Sequence, residues 1–119
     1  MAKVKIDFKI KNISTNLEVK LECDGILNNN RLIYKDNDSN NEIRILENEV
    51  ILTKKRVDNI KMKFYFKENS HNFIEVIDNN YSLKIPLSTE KLIVKENEIE
   101  IHYQVDSNEK FLFHLIYKM

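Results

Sequence analysis

Apolar and charged residues alternate along the beginning of the chain. In residues 3–11 every second residue is apolar and the residues between are charged. The same alternation resumes in residues 17–24, after the turn-forming residues Ser14, Thr15 and Asn16. A period of two is typical of a β-strand that buries one face and exposes the other. The two segments therefore predict an antiparallel hairpin.

Charge complementarity predicts the register of this hairpin. In one register, Lys9 lies opposite Glu18 and Asp7 lies opposite Lys20, so the outward pairs have opposite charge. Shifted by two residues, Lys9 lies opposite Lys20 and Asp7 lies opposite Glu22. Like charges directly across a ladder are unfavourable. We therefore expect the first register.

Further strand-like segments follow at short, even spacing. They are residues 31–35, 42–47, 49–56, 60–67, 73–77, 81–87, 91–95, 99–105 and 111–117. The chain has one Gly and one Pro, and asparagine takes their place in the turns because it tolerates the left-handed backbone region. These turn asparagines are Asn28 to Asn30, Asn40, Asn41, Asn48, Asn79, Asn80, Asn97 and Asn108. The pattern predicts an all-β antiparallel meander of about 8–10 strands that closes into a barrel or sandwich.

Residues 39–56 also contain a helical pattern. Ser39 and Glu42 have the spacing of a capping box, and Ile43, Leu46 and Val50 have helical spacing. However, most apolar residues of this stretch are β-branched, and these favour strands. We therefore expect two strands here, with a helix as the alternative.

Two of the predicted strands are apolar on both faces. These are residues 73–77 and 111–117. A barrel strand with one solvated face is expected to alternate instead. Either another part of the chain, such as a strand of an overlapping barrel, covers the outer faces, or they form the interface of a homodimer.

The last two predicted strands carry two histidines on their outer face. If Tyr103 pairs with Phe113, then His102 lies opposite His114. Two imidazoles across a ladder can bind Zn²⁺ when a third ligand is available. The sequence contains no local metal motif, so we expect a pH-sensitive surface pair and no metal site.

Two cations have the parity of an inward-facing position. Lys54 and Arg56 share the parity of Leu52, near the end of their strand, and the next strand carries Phe64 and Phe66 on its apolar face. Cations at the mouth of an apolar barrel suit a small amphipathic or anionic ligand. We take Lys54, Arg56, Phe64 and Phe66 as the candidate ligand-binding residues. The alternative is that the strand has already passed the rim or that a bulge turns both cations outward.

Composition excludes several classes of protein. The 19 basic residues balance 19 acidic ones, whereas nucleic-acid and anionic-membrane binders carry a surplus of Lys and Arg. The longest uncharged segment, residues 111–117, is much shorter than the roughly 20 residues of a membrane helix. The single Cys23 excludes an internal disulfide framework, and its apolar parity predicts a buried, inert thiol. We expect one cytoplasmic domain spanning residues 1–119.

Catalytic motifs are absent from the sequence. Gly25 is the only glycine, so no nucleophile elbow or glycine-rich phosphate loop is present, and no zinc-protease helix motif occurs. We therefore expect no catalytic residues, no cofactor and no enzymatic activity. The expected function is a non-enzymatic binding module for a small molecule, and the alternative is a protein-interaction or homodimeric domain without a ligand.

The order of several short segments resembles that of a known family. These segments are Asp24-Gly25, Leu32-Ile33-Tyr34, Glu49-Val50-Ile51-Leu52, Ile60-Lys61-Met62-Lys63-Phe64, Tyr81-Ser82-Leu83, Pro86-Leu87-Ser88-Thr89, Ile99-Glu100-Ile101-His102-Tyr103 and an aromatic final strand. They resemble the YwiB-like family of small bacterial proteins of unknown function. The resemblance implies a single lipocalin-like (calycin) β-barrel and supplies no catalytic residue. The chain departs from the family at residues 54–59, where relatives show an arginine followed closely by glycine.

Overall fold

The period-two alternation of apolar and polar residues corresponds to β-strands in the structure. The computed structural model describes residues 1–106 and 108–119, and within these residues ten β-strands form one closed barrel. The strands are β1 (Ala2–Asn12), β2 (Leu17–Asn28), β3 (Arg31–Lys35), β4 (Ser39–Ile45), β5 (Glu49–Arg56), β6 (Lys61–Lys67), β7 (Ser70–Asp78), β8 (Tyr81–Lys95), β9 (Glu98–Val105) and β10 (Glu109–Lys118). Each strand pairs antiparallel with the next, and β10 pairs with β1. The predicted all-β antiparallel meander is confirmed.

The observed strands differ from the predicted segments in the middle of the chain. The helical alternative for residues 39–56 is wrong, because β4 and β5 occupy this stretch. The predicted segments 81–87 and 91–95 form one continuous strand, β8. A β-bulge between Thr89 and Lys91 inserts one extra residue there. Inward-facing residues are therefore odd-numbered before the bulge, as at Leu87, and even-numbered after it, as at Leu92. Because of this change in parity, the single strand looks like two segments in the sequence.

The connections between strands define the two ends of the barrel. In an antiparallel meander, alternate connections lie at the same end. Residues 29–30, 46–48, 68–69 and 96–97 connect strands at one end, which we call the closed end. Residues 13–16, 36–38, 57–60 and 79–80 connect strands at the other end, which we call the open end.

The best-packed part of the core lies towards the closed end. The largest fully buried side chains are Ile6, Leu32, Ile43, Val50, Leu87, Ile99, Ile101 and Leu115. Leu32, Ile43 and Val50 each lie within a few residues of a closed-end connection. Each such side chain contributes about 1.5–3 kcal/mol relative to an exposed one. The closed end is therefore filled with protein.

Asparagine forms several of the tight turns, as predicted, but Asn40 and Asn41, also expected in a turn, lie within β4. Asn29, Asn79 and Asn97 have φ values of 57°, 52° and 66°. The turns also place Asn16 and Asn69 in this left-handed region, at 62° and 55°. Asparagine tolerates this conformation better than other residues with a Cβ.

The predicted register of the first hairpin is wrong by two residues. Lys9 lies opposite Lys20, and Asp7 lies opposite Glu22. Exposed charge pairs are worth only a few tenths of a kcal/mol each, so they cannot select the register against a stronger local preference.

The turn between β1 and β2 supplies that preference. The observed register leaves a four-residue connection, in which the Asn12 side-chain oxygen accepts hydrogen bonds from the backbone N–H groups of Ser14 at 3.0 Å and Thr15 at 3.2 Å. The expected register would have required Ile13 and Ser14 as a two-residue turn. Such turns need positive φ, which a β-branched isoleucine disfavours. Turn chemistry therefore outweighs charge pairing.

At Gly25, a side chain of β1 and the backbone of β3 both come close to β2. It lies opposite Val4 on β1 and Tyr34 on β3. A Cβ at this position would collide with Cδ1 of Ile6 and lie 2.9 Å from the carbonyl oxygen of Ile33. The only glycine of the chain therefore stands where β2 begins to pair with β3 and has no room for a side chain.

In the described part of the chain, the two strands with apolar outer faces are not covered by another strand. Every described strand belongs to the single closed layer, so the expectation of a covering strand is wrong. On β7, the ring of Phe73 instead packs against Tyr65 at 5.1 Å between centroids and beneath the ammonium of Lys84 at 4.6 Å. On β10, Leu112 and Ile116 are half-buried in the outer surface.

Candidate functional site

A cavity of about 380 Å³ lies inside the barrel towards the open end. Most of its wall is apolar or aromatic, from Phe8, Ile10, Val19, Leu21, Tyr34, Leu52, Phe64, Phe66, Tyr103 and Phe113. Its polar residues are Asp36, Asn37, Asp38, Asn41 and Lys54. An enclosing apolar wall with a few converging polar groups is typical of a small-molecule site, and the volume lies near the lower end of the range of such sites.

A larger hollow of about 1270 Å³ lies against β1, β2 and β3. Its lining includes the outward-facing charged residues Lys3, Asp7 and Glu22 and the C-terminal Met119. Charges of both signs are exposed there, and the hollow is more open to solvent than the cavity inside the barrel. The cavity inside the barrel is therefore the stronger candidate site.

Aromatic rings form much of the cavity wall. Phe64 and Phe66 stack with their centroids 6.0 Å apart, and Phe66 contacts Tyr103 at 5.0 Å. On the other side, Phe8 contacts Tyr34 at 5.7 Å and Phe113 at 6.1 Å. Rings held in such tilted and stacked pairs give a rigid apolar surface.

Two buried tyrosines add polar groups to this wall. Burial raises the pKa of Tyr103 to about 12. Burial, followed by the charge of Asp36, raises the pKa of Tyr34 still further above its ordinary value. Both phenols therefore keep their protons at neutral pH and can donate or accept a hydrogen bond.

Four polar side chains at the open end form what we call the mouth cluster: Asp36, Ser39, Asn41 and Lys54. The hydroxyl of Ser39 donates to Asp36 Oδ1, and Asn41 Nδ2 donates to Asp36 Oδ2 at 3.1 Å. Lys54 Nζ lies 3.4 Å from the same Oδ2. Ser39 and Asn41 are both buried. The carboxylate of Asp36 is thus the centre of the cluster.

The mouth cluster keeps Asp36 ionised. Burial by itself raises the pKa of this carboxyl group, but hydrogen bonds from Ser39, Asn41 and the backbone N–H of Asp38, together with the charge of Lys54, outweigh it. The resulting pKa is about 2. The ionised carboxylate accepts charge-assisted hydrogen bonds at neutral pH, and its low pKa makes it a poor general base.

The structure brings together three of the four predicted site residues. Lys54, Phe64 and Phe66 all line the cavity. Arg56 does not: it is the last residue of β5, and its guanidinium lies 3.1 Å from the carboxylate of Asp58 in the following turn. Arg56 has therefore passed the rim, which is the alternative that the sequence left open for both cations.

The acidic side of the mouth cluster was not predicted from the sequence. The fourth strand was expected to begin at residue 42, whereas β4 begins at Ser39. Ser39 and Asn41 continue the inward parity of Ile43, so two buried polar residues on an apolar face were the available signal. Asp36 lies in a connection, where no periodicity indicates which way a side chain points.

The expected histidine pair does not form. His102 lies opposite Leu112, and His114 lies opposite Glu100. Each imidazole instead meets a carboxylate: His102 Nε2 lies 3.0 Å from Glu100 Oε2, and His114 Nε2 lies 3.3 Å from Glu98 Oε2. The histidines do not meet because β9 and β10 pair two residues away from the expected register. In the observed register, Val105 pairs with Glu109 close to the turn.

Two kinds of feature are absent from the described residues. Among residues 1–106 and 108–119, no group of three or more His, Cys, Asp or Glu side chains is arranged to hold a metal ion. In the same residues, no helix has the length and apolarity needed to cross a membrane. Cys23 is half-buried, and burial followed by the charges of nearby aspartates raises the pKa of its thiol.

Comparison with solved structures identifies a protein with a similar fold. The chain is similar to the crystal structure of the YwiB protein from Bacillus subtilis, with a TM-score of 0.67 and 14% sequence identity. The match covers 98% of this chain and 89% of that chain. No family model and no curated protein matches the sequence. At this identity the likeness concerns the fold alone, and the YwiB-like barrel expected from the sequence is confirmed to that extent.

Proposed function

We propose that this chain is a non-enzymatic binding protein that holds a small amphipathic molecule inside its barrel. The single observation that carries the proposal is the difference between the two ends. The closed end is filled by large aliphatic side chains, whereas the open end contains an apolar cavity of about 380 Å³ with a polar mouth. The apolar body of a ligand would occupy the aromatic wall, where burial of its surface favours binding.

The mouth cluster favours a ligand head that can both donate and accept hydrogen bonds. Lys54 is already paired with the ionised carboxylate of Asp36. A purely anionic head would have to approach Asp36 and compete with it for Lys54. A hydroxyl, carboxamide or zwitterionic head can donate to Asp36 and accept from Lys54 or Asn41. We therefore favour the amphipathic ligand over the simple anion.

The charges and pKa values of the cavity support a binding role rather than catalysis. A general acid or base works best when its pKa lies near the working pH. Asp36 and Tyr103 have pKa values of about 2 and about 12, on opposite sides of neutrality. Neither group suits proton transfer at neutral pH.

The proposal has three further parts: the structural relationship of the barrel to other folds, the cellular location of the protein, and its binding partners. An up-and-down antiparallel barrel with a ligand-sized cavity supports a lipocalin-like (calycin) relationship. The single half-buried Cys23 and the lack of a disulfide framework support a cytoplasmic protein. Balanced charge supports the absence of nucleic acid and membrane lipid among its partners.

A pair of fluorescent probes with the same apolar body tests the proposal. Phenylnaphthylamine is neutral, and anilinonaphthalene sulfonate adds an anionic group to the same rings. We expect saturable binding of the neutral probe, with no gain in affinity for the anionic one. Native mass spectrometry of the protein purified from cells then identifies the natural ligand.

Two matched variants locate the bound probe. Leu21→Trp adds volume to the cavity wall, whereas Glu22→Trp adds the same side chain to the exposed outer face of β2. With the probe excited at wavelengths that tryptophan does not absorb, Leu21→Trp should weaken binding at least tenfold and Glu22→Trp should leave it unchanged. Equal affinities in the two variants, or no saturable binding to the wild type, would refute the proposal.

A further inference from the structure

Two thirds of β2 has no strand on one side in the described part of the chain. The ladder between β2 and β3 contains only the four pairs from Gly25 to Asn28. In the described part of the chain, residues 17–24 of β2 pair with β1 alone. On the inward face of this segment, Leu17 is 70% exposed and Val19 is 62% exposed. A sheet edge with exposed apolar side chains is a template for pairing with another strand.

The hydrogen-bond pattern identifies the backbone groups at this edge. The N–H of Ile13 donates to the carbonyl of Lys110, on the β10 side of β1. Because direction alternates along a strand, even-numbered residues of β1 point their backbone groups towards β2. The pairs Ile10–Val19 and Phe8–Leu21 are therefore the hydrogen-bonded pairs of that ladder.

The remaining residues of β2 consequently point the other way. The N–H and C=O groups of Glu18, Lys20 and Glu22 face the free edge, and their side chains lie on the outer face of the barrel. These groups are available for a hydrogen-bonded ladder with an added strand.

We propose that the added strand is β2 of a second copy of this chain, paired antiparallel about a two-fold axis at Val19. In this register Glu18 of each copy lies opposite Lys20 of the other, and both are hydrogen-bonded pairs. The exposed Leu17 of each copy lies opposite Leu21 of the other, and the two Val19 side chains meet at the axis. A two-fold axis makes every contact away from the axis occur twice, as in most dimers of identical chains.

Charge selects this register over its neighbours. Moving the axis to Lys20 would place the two Lys20 side chains together and set Glu18 opposite Glu22. Moving it to Leu21 would set Glu18 opposite Asp24. Of the axes at Glu18, Val19, Lys20 and Leu21, only the one at Val19 sets no two like charges opposite each other.

The pairing also completes the surroundings of Lys20. Within one chain Lys20 lies opposite Lys9, and its acidic contact is Glu18 of its own strand at 3.4 Å. The second copy supplies another carboxylate on the open side. The like-charged pair within the chain, unfavourable by itself, is thus compensated in the dimer.

The unpaired edge of β8 is unsuited to pairing. Residues 81–86 of β8 extend beyond the ladder with β9, which begins at Leu87. This segment contains Pro86, which has no N–H to donate, and Lys84, and natural proteins use such residues to prevent edge pairing. The carbonyl of Pro86 is in addition occupied by the N–H of Asp106 at 2.9 Å.

A charge-reversal experiment tests the dimer by its mass in solution. We expect sedimentation equilibrium to show a monomer–dimer equilibrium for the wild type at protein concentrations up to about 1 mM. Lys20→Glu and Glu18→Lys should each be folded monomers, because each places like charges together across the axis. An equal mixture of the two variants should form a heterodimer, because the pairs are then again of opposite charge.

This mixture separates loss of the interface from loss of the fold, since two misfolded variants would not restore each other. A wild type that remains monomeric at the highest concentration would overturn the proposal, and pairing of the edge with a different protein would also appear in this way. Dimers that persist in both single variants would overturn it as well.

Cross-linking tests the position of the axis. In a non-hydrogen-bonded antiparallel pair the Cα atoms lie about 4.5 Å apart, within the range of a disulfide. In a Cys23→Ser background, Val19→Cys should form a disulfide-linked dimer on mild oxidation. Val57→Cys, at an exposed turn position, serves as the control and should remain reduced. Equal cross-linking of the two variants would contradict the assigned register.

Discussion

The mouth cluster makes a quantitative prediction about stability and pH. The pKa of Asp36 is about 2, compared with an ordinary value of 3.8. One pK unit corresponds to about 1.4 kcal/mol, so the ionised carboxylate contributes about 2 kcal/mol to the free energy of unfolding. The Asp36 side chain is 13% exposed, so solvent screens this contribution little.

The sign of the pH dependence follows from the lowered pKa. As the pH falls, a carboxyl group whose pKa is lower in the folded state is protonated in the unfolded state before it is protonated in the folded state. The stabilisation is therefore complete above the ordinary pKa of 3.8 and is lost as the pH falls to about 2. Asp36→Asn cannot ionise and lacks this contribution at every pH.

Urea unfolding of the wild type and Asp36→Asn at several pH values measures the effect. We expect the difference in unfolding free energy between them to decrease by about 2 kcal/mol as the pH is lowered from about 6 to about 2. Asp38→Asn is the matched control, because it removes an exposed carboxylate from the same connection and leaves Asp36 in place. If the difference between the wild type and Asp36→Asn did not change with pH, the reasoning about the mouth cluster would be wrong.

The remaining predictions concern packing and are measured by equilibrium unfolding at neutral pH. Phe113→Ala, at an inward position that is 5% exposed, should cost about 3–5 kcal/mol, whereas Lys9→Ala should change stability by less than about 1 kcal/mol because Lys9 faces Lys20; equal effects would contradict the inward and outward assignment. Gly25→Ala should cost about 1–3 kcal/mol through its collision with Ile6, and adding Ile6→Val should recover part of that specific cost; no recovery would show that the strain lies elsewhere. Thr89→Val should stabilise the protein by about 1 kcal/mol, because the buried hydroxyl of Thr89 has no hydrogen-bond partner among residues 1–106 and 108–119; a loss of stability would indicate an unseen partner.

The direction of side chains was predictable from the sequence because it depends on parity alone. Lys54, Phe64 and Phe66 face the cavity as expected, since a regular strand preserves parity whatever its neighbours are. Parity fails only where a strand is irregular. The bulge between Thr89 and Lys91 is such a place, and the sequence shows it as a gap between two segments.

The registers were not predictable from charge. The first and last hairpins both pair two residues away from the expected alignment. Asn16 and Asp106 adopt positive φ beside these turns, and turn geometry determines how the strands align. The expected histidine pair was lost for this reason.

The mouth cluster was not predictable because it depends on closure of the barrel. Asp36 and Lys54 are 18 residues apart and meet only when β3, β4 and β5 lie side by side. Lys54 forms an ion pair with Asp36 instead of a cation pair with Arg56. Of the amphipathic or anionic ligands expected from the sequence, the proposed function therefore favours an amphipathic molecule with a mixed polar head.

The most direct test of the central claim is the position of a bound apolar molecule. Methyl NMR spectra of the protein titrated with phenylnaphthylamine should show saturable shifts at Leu21 and Leu52, which line the cavity. The methyl groups of Leu115, in the filled core, and of Ile33, on the outer face, should remain unchanged. Shifts confined to Ile33 and other outward residues, or no shifts at all, would contradict the claim that the open end of this barrel is a binding site.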